Sequence, residues 1–186
     1  MAGLNSSLKS LTSARLTPRL EWFALSVQPR QEEAVARSLR SRALEEYVPI
    51  YSGRRRLFPG FVFCRFDYQS RQAVVETPGV LSIAGSPESV SPISDAEVAW
   101  LKMILSSHLP VNTCAFLRMG QRVWITRGPL DGLEGILLRK HDDFQVVVGV
   151  EALQRSVAVE INHEMVPWRA LHTRKWPVFP DCLSPA

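Results

Sequence analysis

Cysteine is scarce in this chain and is not arranged for chemistry. Three cysteines in 186 residues, Cys64, Cys114 and Cys182, are far apart and odd in number, which fits neither a disulfide framework nor a metal-ligand spacing. The four histidines are scattered. His108 has no cysteine or carboxylate beside it at ligand spacing, so neither a metal nor a cofactor is expected. Catalytic constellations are lacking too. There is no Ser-His-Asp order, and Asp142 and Asp143 form a loop pair with no positioned partner. Gly128 to Gly135 has the glycines of a phosphate cradle, but no lysine follows directly and no helix opens after it. No enzyme is expected. Long apolar runs are also missing: nothing approaches the ~20 residues of a membrane helix. Met1 to Arg19 has no acid and no continuous apolar core with a cleavage site. It shares its basic, serine-containing composition with transit peptides and is read as a disordered extension.

What remains is the composition of an ordinary folded protein, 46% hydrophobic and 22% charged. The thiols suit a reducing cytoplasm. A formal net charge of +4 permits contact with nucleic acid or an acidic protein surface and demands neither.

The most informative stretch is Leu57 to Phe66, Leu-Phe-Pro-Gly-Phe-Val-Phe-Cys-Arg-Phe. Pro59-Gly60 signals a turn, and an aromatic strand follows. Alternation sends Phe61, Phe63 and Arg65 to one face and Val62, Cys64 and Phe66 to the other. Both faces are apolar, so the strand is either buried on both sides or presents one row to a partner.

Around it, Glu21 to Val27 reads as a strand and Gln31 to Arg42 as a helix with Glu32 and Glu33 in its first turn. Tyr47 to Tyr51 is extended, with Pro49 at an edge or bend. Arg54, Arg55 and Arg56 form a loop that offers a contact to nucleic acid or an acidic partner, or is a solvated tip. A short helix over Ser70 to Glu76, a Thr77-Pro78-Gly79-Val80 turn and a strand over Leu81 to Ala84 come next. Ser94-Asp95-Ala96-Glu97 has the form of a capping box and opens a further helix. This order predicts an α+β, ferredoxin-like antiparallel sheet with its helices mainly on one face. Such a sheet can leave its other face open. Ser106 to Phe116 has no period and is read as a linker. From Gly120 the texture is all-β, with strands over Gln121 to Thr126, Ile136 to Arg139, Val146 to Val150 and Ser156 to Ile161, closed by Val166. So many short strands in about fifty residues predict a small SH3-like barrel. The expected units are an extension over 1–20, a first domain over 21–106, a linker over 107–117, a barrel over 118–170 and a loose tail over 171–186.

Gly120 to Leu137, with Gly-Pro-Leu-Asp-Gly-Leu-Glu-Gly inside it, resembles the KOW motif of NusG-type transcription factors and some ribosomal proteins. Gly128 and Gly132 suit tight turns there, and Gly135 lets a strand cross close by. Trp22-Phe23-Ala24, Pro29, Glu32 to Leu39, Val48-Pro49, Phe58 to Phe63, Thr77 to Val80 and Pro92 to Glu97 resemble, in order, the NusG N-terminal domain. The resemblance covers about Glu21 to Arg169.

It implies a transcription elongation or antitermination factor that binds RNA polymerase. Phe58, Pro59, Gly60 and Phe61 match the family's hydrophobic contact positions. Trp22 and Phe23 match aromatics of its first strand, where core and contact roles are not separable. Thr77, Pro78 and Gly79 lie where the family approaches the far side of the polymerase cleft. Gly128, Pro129, Leu130 and Gly132 correspond to the turn that meets a second partner, a small-subunit ribosomal protein or Rho. A monomer without membrane attachment is implied. Two features depart from the family: Tyr51 to Leu57 is short, and Leu130 stands where phenylalanine is frequent. That loop and Leu153 to Glu160 resemble specialised paralogues that antiterminate particular operons. An alternative is a single-strand RNA-binding module, because Gly60 to Phe66 loosely echoes the stacking strand of the RRM; the small residue between its aromatics and the leading basic residue are absent.

Overall fold

A computed structural model of the chain describes residues 19–51, 53, 55–85, 90–115, 121–140, 143–161 and 168–170. Nearly all of the basic extension, the tail, Arg54, Val166 and Cys182 lie outside these residues.

The first half is built on β1 (Leu20–Val27), whose side chains are buried on both faces. After it come α1 (Glu32–Ser41), β2 (Glu45–Tyr47), and a short hairpin of β3 (Ile50–Tyr51) and β4 (Arg55–Arg56). Next are β5 (Phe61–Asp67), α2 (Arg71–Val75), β6 (Val80–Ile83) and α3 (Asp95–Ser106). The four-stranded sheet has the order β2-β5-β1-β6 and is antiparallel, as the ferredoxin-like reading requires. Phe23, Leu25 and Val27 of β1 join Val62, Cys64 and Phe66 of β5 under Val35 and Leu39 of α1 and Val74 of α2. The packing face expected for Val62, Cys64 and Phe66 is therefore the helix face.

The opposite face is not open. Trp22, Ala24 and Phe63 pack there against Val98, Leu101 and Ile104 of α3. α3 thus lies across the sheet from α1 and α2. Its start is fixed by the expected capping box: Glu97 N–H donates to Ser94 Oγ at 3.1 Å, and Ser94 N–H donates to Glu97 Oε2 at 2.8 Å.

The second half is an antiparallel sheet of six strands, β7 (Val111–Ala115), β8 (Gln121–Ile125), β9 (Glu134–Lys140), β10 (Asp143–Val150), β11 (Arg155–Ile161) and β12 (Trp168–Ala170). Its order is β12-β8-β9-β10-β11-β7. It curls around Val123, Ile125, Leu133, Val146, Val157 and Val159, all fully buried. A Cβ on Gly135 would sit 2.5 Å from Val146 Cγ1 and 2.8 Å from Val147 O, so glycine is what lets β9 and β10 approach. The linker expected over 107–117 needs correcting: Val111–Ala115 is a strand that pairs with β11.

The two halves share one apolar cluster, which runs from Trp22 and Phe63 through α3 to Val148 and Val157 of the barrel. β10 packs on α3, and the 3-10 turn Glu151–Leu153 packs on β1. Glu151 N–H donates to Glu97 Oε1 at 3.3 Å.

Candidate functional site

Two Pro-Gly turns meet at the C-terminal end of β1. In the first, Phe61 N–H donates to Phe58 O at 3.2 Å, with Pro59 and Gly60 (φ +82°) between them. Proline followed by a residue at positive φ is the pattern of a type II turn, where glycine is the residue without strain. The second repeats it: Val80 N–H donates to Thr77 O at 3.0 Å across Pro78 and Gly79 (φ +91°). The last residue of β1 and the one after it hold the two turns. Val27 N–H donates to Gly60 O and Gln28 N–H to Gly79 O, each at 2.9 Å. The segments that the resemblance assigns to the two sides of one cleft therefore sit side by side, with both prolines exposed.

Each turn is also clamped by a helix. Glu32, only 3% exposed, accepts the Gly60 N–H on Oε1 at 3.0 Å. Its Oε2 lies 3.4 Å from Nε of Arg56, whose Nη2 is 3.8 Å from Glu33. The buried carboxylate thus ties α1 to the Pro59-Gly60 turn and to β4 together. At the second turn, Arg42 Nη1 donates to Thr77 Oγ1 at 3.1 Å and to Ala73 O at 2.7 Å. A Cβ on Gly79 would lie 2.8 Å from Gln31 Oε1 and 2.9 Å from Val35 Cγ2, so α1 fixes that position as glycine.

The aromatics divide between the faces. Phe23 points to the helices, with its ring 4.8 Å from that of Phe66 and 5.5 Å from that of Tyr68. Phe58 is buried, edge-on to Phe63 at 6.0 Å. Trp22 is buried on the same side, under Lys102 Nζ at 5.3 Å. Phe61 is half-buried, and the Arg155 guanidinium of the barrel stands 5.8 Å from its ring centroid. Phe63 is 0% exposed, so Phe61 and Phe63 do not form an accessible base-stacking platform in this arrangement. Burial, reinforced by the charge of Glu46, pushes the Cys64 thiol up to about 12, which leaves it an inert core group.

Of the three arginines, Arg56 is engaged by Glu32 and Glu33, and Arg55 is exposed on β4. In the barrel turn Gly128, Pro129 and Gly132 are exposed, while Leu130 is fully buried in the barrel core. Sequence reasoning missed Glu32 as a clamp, and Arg155, Glu97 and Glu151 as cross-domain contacts. Acids in a first helical turn signal only a dipole preference, and no local pattern links them to a turn 28 residues on. Among the described residues no group of three or more His, Cys, Asp or Glu could hold a metal ion. No described helix is long and apolar enough to cross a membrane.

Residues 20–102, which contain the whole sheet and both turns, match the family model described as NusG, transcription termination factor nusG. The chain is 27% identical to the transcription termination/antitermination protein NusG of Deinococcus radiodurans, with 79% of this chain and 98% of that protein covered. With the NusG of Thermus thermophilus it shares 24% identity, covering 79% of this chain and 97% of the relative. A solved structure described as domain interaction in Thermotoga maritima NusG has a TM-score of 0.50 at 20% identity, covering 80% of this chain and 96% of that one. By these comparisons the chain is similar to NusG-type transcription termination and antitermination factors, through the family model over residues 20–102 and through relatives aligned over 79% of its length.

Proposed function

We propose that the protein rides on RNA polymerase through the surface around the Pro59-Gly60 turn, suppresses pausing or termination, and recruits a second protein through its barrel. The observation that carries this reading is the pairing of the two Pro-Gly turns on Val27 and Gln28, with Phe58 and Phe61 flanking the first turn. A rigid, doubly clamped edge with exposed prolines is a pre-organised docking element, which loses little freedom on binding. Phe61, half-buried beside Arg155 of the barrel, is its aromatic anchor once the barrel moves away. Phe58, Trp22 and Phe23 act from beneath, as packing that shapes the edge. Thr77, Pro78 and Gly79 form the second contact. Arg55 is the basic side chain placed to meet nucleic acid in the elongation complex. The barrel partner, a small-subunit ribosomal protein or Rho, meets the exposed Gly128, Pro129 and Gly132, with Leu130 supporting them from the core.

Arg155 covers Phe61 while the barrel is docked. The docked arrangement is accordingly the closed state, and polymerase binding requires the barrel to leave. A domain interaction is also named for the Thermotoga protein of similar fold.

The test is capture of core RNA polymerase by wild-type protein and by Phe61→Ala, with folding checked by circular dichroism. Loss of a central aromatic anchor costs about 2 kcal/mol at an interface, and easier release of the barrel offsets only part of that, so capture by the folded variant should fall. Equal capture by the folded variant overturns the site.

A further inference from the structure

Very little chain ties the barrel to the sheet domain. α3 ends at Ser106 and β7 begins at Val111, which leaves residues 107–110 as the connection. Even this piece is fixed. Ser107 Oγ donates to Ile104 O at 2.7 Å, Leu109 N–H donates to Ser107 Oγ at 3.3 Å, and His108 sits at φ +57°. Pro110 O already accepts from Glu160 N–H at 3.0 Å, so pairing with the barrel begins at the fourth residue after the helix. Four residues span at most ~14 Å. A body of ~50 residues has a radius of gyration near 10 Å and is roughly 25 Å across. A barrel held by 107–110 alone can tilt about the end of α3 but cannot clear the face it covers.

β7 offers the missing length. It is the edge strand beside β11, and β12-β8-β9-β10-β11 is a continuous ladder without it. Its five residue pairs run from Val111 opposite Val159 to Ala115 opposite Arg155. Among its described side chains Val111 is buried, Cys114 is half-buried, and Asn112 and Thr113 are exposed. Detaching it uncovers little apolar surface, because the side chains that fill the barrel come from the other strands.

We propose that β7 is a releasable strap. It zips onto β11 while the barrel sits on the sheet and unzips when the barrel leaves, extending the tether to residues 107–115, or ~32 Å. Docking and zipping then favour one another, and by linkage each is strengthened by the other to the same degree. The proposal rests on the reading that the barrel leaves the sheet, but its test needs no polymerase.

Cys114 stands directly opposite Ser156 in the β7–β11 register. Facing side chains in an antiparallel pair have Cβ atoms about 4.5–5.5 Å apart, close to disulfide range. Ser156→Cys in the full chain, oxidised, locks the strap; the reduced form is its control. The readout is amide hydrogen exchange by mass spectrometry over 111–115, over Glu151–Leu153 and over β10. Undocking by Leu153→Glu should speed exchange at 111–115 by ~10-fold or more with β10 unchanged. Oxidising the Ser156→Cys protein should slow exchange at Glu151, whose N–H is held by Glu97. If Leu153→Glu also loosens β10, Phe61→Ala serves as the undocking variant from the sheet side. Unchanged exchange at 111–115 on undocking, or at Glu151 on locking, would overturn the strap and make β7 a fixed strand of the barrel. Polymerase capture is measured separately, so the failure of one reading does not mask the other.

Discussion

The guanidinium of Arg155 stands 5.8 Å from the centroid of the Phe61 ring, across the boundary between the barrel and the sheet domain. A cation over a partly shielded ring is worth about 0.5–1 kcal/mol. A double-mutant cycle with Arg155→Ala and Phe61→Ala, read by urea unfolding, should therefore return a coupling energy of about that size. Strictly additive effects would mean that the two side chains do not hold the domains together.

Glu32 serves the neighbouring turn as acceptor and counter-ion at once. Glu32→Ala leaves the Gly60 N–H without its acceptor and Arg56 with the more distant Glu33 alone, and should cost about 2–4 kcal/mol in chemical denaturation. Glu32→Gln keeps an acceptor and should cost less than half of that. Equal losses for both variants would show that the charge, and not the Gly60 hydrogen bond, fixes the turn.

The glycines of the two domains should fail in different places. Gly79→Ala puts a methyl 2.8–2.9 Å from Gln31 and Val35 at a φ of +91°, so it should disturb the α1 side of the sheet. Gly135→Ala drives a methyl into Val146 and the Val147 carbonyl and should loosen the barrel. Each change should cost about 1–3 kcal/mol. Chemical-shift changes confined to the mutated domain would locate the effect, and their spread through the other domain would contradict it.

Alkali should weaken the fold through the buried Cys64 thiol and the half-buried Tyr47 hydroxyl. Burial, with Glu46, raises the Cys64 thiol from 9.0 to about 12. Burial alone raises the Tyr47 hydroxyl from 10.0 to about 12. Because the folded values lie above the unfolded ones, the stabilisation is complete below pH 9. It is then lost as the pH rises towards about 12, at up to ~1.4 kcal/mol per pH unit for Cys64. Cys64→Ala should delay the onset to about pH 10, where Tyr47 begins to contribute. A decline that starts at pH 9 in the variant as well would assign it to other groups.

Much of this architecture was legible because its signals are local. The alternation of Phe61 to Phe66, the Ser94–Glu97 capping box and the Pro-Gly pairs each state a conformation within a few residues, and each was found where expected. The close approach at Gly135 was legible for the same reason. Less visible was whatever depends on distant pairing. Val111 to Ala115 has no alternation and becomes a strand only because β11, more than forty residues on, presents an edge to it. The side of the sheet chosen by α3 follows from the Trp22 face needing cover, which no period in the helix states. Leu130 sits in a turn motif that suggests exposure, yet its side chain turns inwards to fill the barrel. The cross-domain contacts of Arg155 and Glu97 join residues that carry no mutual pattern in the chain.

The surface around Phe61 is proposed to meet polymerase, and the docked barrel to withhold it. The most direct measurement is the equilibrium affinity of the full chain for core RNA polymerase, compared among wild type, Leu153→Glu and Phe61→Ala. If the closed state holds about nine molecules in ten, releasing the barrel with Leu153→Glu should tighten binding ~10-fold, while Phe61→Ala weakens it. A folded Leu153→Glu variant that binds no more tightly than wild type, beside a Phe61→Ala variant that binds equally well, would contradict the account.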